Sequence, residues 1–153
     1  MIRKIFAYIL RMDDPIPHLL VVESHAEIGK FEVVRGKADP DDGSVEFTAR
    51  RETFEEAGID IDALVFLKHL GVVEWHGGKR RKRVEEQHGL VLRAPDGLPE
   101  AWEYICVSSA NDNGRRFVYR WLPVEPDLER VLIEGCDKFI PSLISFVLNK
   151  PRV

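Results

Sequence analysis

The chain has 153 residues, about one domain's worth, and its 44% hydrophobic content with 8 Phe and 3 Trp is enough to fill a core. Twenty-two Lys and Arg against 26 Asp and Glu give a formal net charge of −4, too small for bulk electrostatics to direct the protein to nucleic acid or a membrane. A charged fraction of 31% beside so many aromatics excludes a disordered chain.

Residues 2–10 form a β-branched and aromatic run that predicts a strand. Its apolar stretch, 5–10, is shorter than a signal h-region and far shorter than a membrane span, so a soluble, cytoplasmic protein is expected. A turn at 13–17 leads to a second strand at 18–23, and a third, shorter one follows at 31–34. Residues 36–43, two glycines enclosing Asp39, Pro40, Asp41 and Asp42, read as a polar loop. The best helix candidate is 44–57, entered through a capping oxygen at Asp42 or Ser44 and followed by Gly58 where a left-handed cap is wanted. At about 100° per residue, Phe47, Phe54 and Ala57 share one arc while Glu52, Glu55 and Glu56 occupy another, which predicts a greasy side and an acidic side.

Downstream, strands are expected at 63–75 and 87–93, separated by His76-Gly77-Gly78 and the basic run 79–83. Residues 102–109 and 115–124 flank Asn111-Asp112-Asn113-Gly114, a hairpin signal. The pattern turns helical at 127–134 and, after Pro141, at 142–150. With no repeat, low-complexity tract or linker, 1–153 reads as a single α/β domain with helices on both faces of a mixed sheet. Cys106 and Cys136 match no metal spacing, which argues against a disulfide framework and for a reducing compartment.

Three glutamates at i, i+3 and i+4 repel one another by a few tenths of a kcal/mol, ~0.3 per close pair, at an exposed site. The bland account is a solvated acidic face. The alternative is a hard divalent cation, Mg²⁺ or Mn²⁺, because the available ligands are all oxygens. Context favours the second: Arg51-Glu52-Thr53-Phe54-Glu55-Glu56-Ala57-Gly58-Ile59 closely resembles the Nudix hydrolase signature, Arg-Glu-aliphatic-x-Glu-Glu-x-Gly-aliphatic, preceded by a glycine-bearing loop, with the whole box at about 36–59. Three departures stand out. Thr53 takes an aliphatic place, Val34-Arg35-Gly36 replaces Pro-Gly-Gly, and the spacing from Gly36 through an acid to Arg51 is one residue too long. Counted forward from Gly36 the acid is Asp42; counted back from Arg51 the place falls on Gly43.

The resemblance implies an α/β/α sandwich and metal-dependent hydrolysis of a nucleoside diphosphate linked to another moiety, by water attack on phosphorus. It implies Glu52, Glu55 and Glu56 as metal ligands, Arg51 as an orienting residue, and Glu55 as the first choice of general base. Glu85, Glu86, Glu100 and Glu103 are held in reserve for that role. A nucleotide-type small molecule is the expected partner; nucleic acid and membrane are not expected, and a homodimer is left open. Alternatives are a binding or sensor module on the same fold, and an RNA-end or dinucleoside polyphosphate hydrolase suggested by the basic run.

Other residues carry weaker signals. Lys37 in the loop is a candidate for a phosphate oxygen, weighed about evenly against a solvated lysine. The run 79–83 reads first as a solvated hairpin tip and second as a polyanion-steering patch. Trp75, Trp102 and Tyr104 offer stacking surfaces for a base, though core packing accounts for Trp102 and Trp121 as well. His18, His25, His69, His76 and His88 show no metal spacing and are read as structural or surface residues.

Overall fold

The computed structural model describes residues 1–12, 15–108 and 112–149. Asp13 and Asp14 of the first turn, residues 109–111 of the hairpin signal and residue 150 of the last helix lie outside the described residues. Eight strands form one sheet: β1 (Ile2–Arg11), β2 (His18–Glu23), β3 (Phe31–Glu32), β4 (Val34–Lys37), β5 (Val65–Gly77), β6 (Arg83–Arg93), β7 (Ala101–Ile105) and β8 (Arg116–Pro123). Two α-helices among the described residues, α1 (Val45–Ala57) and α2 (Ile140–Leu148), cover its faces.

The order across the sheet is β5-β6-β1-β2-β8-β7, with β3 beside β2 and β4 beside β1. β1 and β6 run parallel and the other pairs antiparallel, so the sheet is mixed. β1 explains its own sequence. It is central and covered on both sides, so its apolar run is continuous instead of alternating: Ile5, Ala7 and Ile9 enter the core with Ala49 and Ala57 of α1, while Phe6, Tyr8 and Leu10 pack with Ile140 and Leu143 of α2. No helix among the described residues is long and apolar enough to cross a membrane.

The neighbours of β1 change along its length. Residues Lys4 to Ala7 pair with β4, whereas Leu10 and Arg11 pair with β2. This split brings Gly36 of β4 against α1, where the predicted site residues lie, with Arg35 beside it in the strand.

Several expected boundaries shift. The third strand divides at Val33 into β3 and β4, and Gly36 belongs to β4 instead of the loop. β5 starts and ends later than expected, and β6 begins already at Arg83, because the two pair as one long hairpin from Val65↔Arg93 to Gly77↔Arg83. The 127–134 helix reduces to a 3-10 turn, Leu128–Val131. Beyond it Leu132 bridges to Phe31, and the Ile133 N–H donates to the Phe31 carbonyl at 2.9 Å, so the edge of β3 captures the chain before a helix can continue. α2 starts two residues earlier than expected, with Pro141 inside its first turn where a missing N–H costs nothing.

Candidate active site on the first helix

Helix α1 begins where the sequence places it. The Ser44 hydroxyl accepts from the Phe47 N–H at 3.1 Å, and the helix closes at Gly58, whose φ of 76° lets its N–H return to the Phe54 carbonyl. A Cβ on Gly58 would run into the ring of Tyr104. Three further bonds tie the helix end to the sheet: Tyr119 Oη donates to the Glu56 carbonyl at 2.8 Å, Trp102 Nε1 to Ala57 at 3.1 Å, and the Val107 N–H to Glu55 at 2.9 Å. Trp102 and Tyr104 are thus structural at this helix end, and Trp121 donates to the Pro99 carbonyl in the same wall.

The expected division into greasy and acidic sides is corrected. The buried positions of α1 are Thr48, Ala49, Thr53, Glu56 and Ala57, while Phe47 and Phe54 are exposed. Apart from Glu56 these buried residues are small, in keeping with the close approach of β4, where Gly36 meets Glu52. Thr53, in the place usually aliphatic, is fully buried and satisfies its hydroxyl on the Ala49 carbonyl at 2.7 Å.

Glu52 lies across β4 at Gly36, where a Cβ would overlap its carboxylate. Arg51 joins the pieces. Its Nε and Nη2 donate to Asp42 at 2.9 and 3.0 Å, Nη2 also to the Lys37 carbonyl at 3.0 Å, and Nη1 to both Glu52 and Glu55 at 3.1 Å. The forward count from Gly36 is therefore the one the geometry satisfies, and the extra residue falls after Asp42, next to Gly43 with its φ of 79°. Burial opposes ionisation of Asp42, but Arg51, the Asp39 N–H and the Thr48 hydroxyl outweigh it and hold the carboxyl at about 2.

Glu56 has the opposite environment. Burial first, then the neighbouring Glu52 carboxylate and Asp112, push its pKa well above the ordinary value. Its Oε2 is buried and has no hydrogen-bond partner among the described residues. Glu52 is raised as well, mainly by burial. Each carboxylate of the Glu52–Glu56 pair affects the charge state of the other, so the two do not titrate independently. Burial, then the charges of Glu56, Asp112, Glu55 and Glu52, raise the Cys106 thiol to about 12, so it sits here as a small apolar group.

Glu56 opens into a cleft of about 370 Å³ whose walls include His25, Glu32, Arg35, Asp112, Arg115 and Phe117. The sequence reading missed Arg35 and Arg115 as site residues and set His25 aside. Arg35 carried the one usable signal, its position next to Gly36 in the departed motif. Lys37 and Trp75 do not line this cleft: Lys37 borders a separate cavity of about 700 Å³ lined by residues of the 38–45 loop, and Trp75 lies on the β5–β6 hairpin. Among the reserve acids, Glu85 is buried between Lys4, Arg83 and Gln87, Glu86 pairs with Arg3 and His88, Glu100 with Arg11, and Glu103 with Arg116.

The donor set fits a hard cation: carboxylate oxygens only, one of them buried without a partner. No group of three or more His, Cys, Asp or Glu among the described residues is already arranged to hold a metal ion. Arg51 spans Glu52 and Glu55 instead.

The NUDIX domain family model matches residues 2–130. The chain belongs to the Nudix family. As a Nudix protein it is a hydrolase acting on diphosphate bonds. Solved structures agree on the fold. An Ap4A hydrolase from C. elegans is 16% identical over 95% of this chain and 98% of its own, with a TM-score of 0.62. The E. coli dihydroneopterin triphosphate pyrophosphohydrolase is 17% identical over 97% and 96%, with a TM-score of 0.60. The NUDIX domain of Shewanella oneidensis NrtR, solved with ADP ribose, is 18% identical over 94% and 86%, with a TM-score of 0.58. No curated protein matches the chain significantly.

Proposed function

We propose that this Nudix protein, acting as one domain, is a divalent-metal-dependent pyrophosphohydrolase whose substrate is a nucleoside diphosphate linked to another moiety. The observation that carries the reading is the buried Oε2 of Glu56, without a hydrogen-bond partner among the described residues, on a residue that lines a cleft together with Arg35 and Arg115. A buried acceptor without a donor is costly unless a ligand completes it.

Glu52, Glu55 and Glu56 would hold Mg²⁺ or Mn²⁺, which when bound neutralises pyrophosphate charge and makes a water more nucleophilic. The chain's own residues do the rest. Arg51 and Gly36 fix where the Glu52 carboxylate lies. Arg35 and Arg115 face the substrate's anionic groups across the cleft. Glu55 accepts the proton from the attacking water as the new P–O bond forms; the bridging P–O bond breaks and its electron pair leaves with the departing phosphate.

Replacing Glu56 by Gln keeps the shape of the side chain and removes its ionisable carboxylate. In that variant, Mg²⁺- or Mn²⁺-dependent release of phosphate-bearing products from nucleoside triphosphates, ADP-ribose, sugar nucleotides and dinucleoside polyphosphates is expected to vanish while the melting transition persists. Unchanged turnover would sink the assignment.

The bridge that Arg51 makes from Glu52 to Glu55 favours a second reading, a binding or sensor module in which the carboxylates are braced and not used. Calorimetric Mg²⁺ binding with no turnover on any of these substrates would select it.

A further inference from the structure

The hairpin of β5 and β6 carries features that the hydrolytic site leaves unused. Trp75, Gly78, Lys79, Arg80, Arg81 and Arg83 line one concavity of about 560 Å³ at its tip, and none of them borders the cleft at Glu56. The Arg83 guanidinium sits 5.3 Å from the Trp75 ring centroid and is partly neutralised by Glu85 at 2.6 Å. Lys79, Arg80, Arg81 and Lys82 are exposed and make no ion pair with a described residue. Four cations thus stand unopposed in a chain whose formal net charge is −4.

The tip is also closely packed at its two glycines. A Cβ on Gly77 would strike the Trp75 indole, and Gly78, at φ 120°, lies so close to the Arg81 carbonyl that no side chain fits. A solvated tip, the first reading of this basic run, requires neither an ordered indole nor a concavity.

We propose that this concavity docks single-stranded nucleic acid, with backbone phosphates on Lys79, Arg80, Arg81 and Lys82 and a base against the Trp75–Arg83 pair. Cations tracking a backbone beside an aromatic plate are the two components of sequence-tolerant single-strand binding. Trp75 is half-buried against Gly77 and Arg83, so the part of its ring left exposed suits a single base and is a small apolar area for a lipid interface, which sets this arrangement apart from a membrane anchor. Four unpaired cations spread along a turn suit a run of phosphates better than a single nucleotide.

The test is fluorescence anisotropy of a fluorescein-labelled twelve-nucleotide single-stranded RNA with the full chain in EDTA, where hydrolysis plays no part. Wild type should bind with a log K against log salt slope of about −3, for roughly four phosphates engaged. K79A/R80A/R81A/K82A, which changes only exposed side chains, should bring that slope towards zero. Trp75→Ala should weaken binding about tenfold with little change in slope. Neither change should alter nucleotide turnover, so failure here leaves the hydrolytic reading standing, and the reverse also holds. The proposal falls if wild type binds no better than the quadruple variant, if Trp75→Ala has no effect, if AMP displaces the RNA stoichiometrically, or if phosphatidylserine vesicles bind the hairpin in its place.

Discussion

Asp42 accepts two hydrogen bonds from Arg51, at 2.9 and 3.0 Å, and through them the loop before α1 is locked to the residue that braces Glu52 and Glu55. Both side chains are largely buried, so water screens the pair little. The loop's extra residue is tolerated because it lies outside this pair.

Asp42→Asn should therefore cost about 2 kcal/mol, the equivalent of moving a carboxyl from 3.8 to about 2. In wild type this stabilisation is fully present above pH 3.8 and is lost as the pH falls towards 2, since the folded state resists the proton that the unfolded chain accepts. Urea unfolding of both proteins at pH 6 and at pH 2.5 measures it; the difference between them should shrink at the lower pH.

Gly36→Ala tests the close approach of β4 to the helix. The added methyl displaces the Glu52 carboxylate. A shift on the order of 1 Å at such a group can lower turnover by about a hundredfold. Steady-state kinetics beside a thermal melt should show a large loss of kcat with a small change in Tm.

For Glu56 the sign is reversed. Its pKa is raised in the folded state, so without metal its contribution is fully present below the unfolded value of 4.5 and is lost as the pH rises through the folded one. Stability in EDTA should decline across that window in wild type and flatten in Glu56→Gln. A divalent cation competes with the same proton, so added Mg²⁺ should restore wild type most at the higher pH, by about 2.7 kcal/mol at a hundredfold excess over Kd. Denaturant titrations at several pH values, with and without Mg²⁺, check both effects.

Gly58→Ala combines a disfavoured left-handed φ with a clash against Tyr104. A loss of about 2 kcal/mol is expected, with the helix end loosened where Tyr119 and Trp102 bind it. Urea unfolding gives the stability change, and hydrogen exchange at the 54–58 amides gives its location. Equal protection in the variant would contradict it.

Local chemistry determined what the sequence reveals by itself. The ends of α1 are written in Ser44 and Gly58, and the central place of β1 in its unbroken apolar run. The family is written in Arg51, Glu52, Glu55, Glu56 and Gly58. Each depends on residues close together in the chain. Tertiary contacts decided the rest. Which side of α1 is buried depends on the sheet it packs against, where Glu52 meets Gly36 of β4 and Glu56 is buried, while Phe47 and Phe54 are left in solvent. The partner of Arg51 depends on how the 38–45 loop folds back, which selects Asp42 over the alternative count. The strand pairing of β5 with β6 is what places Trp75 beside the cations of the basic run. Spacing along a chain fixes the period of an element; only the surface it meets fixes which face is core and which is site.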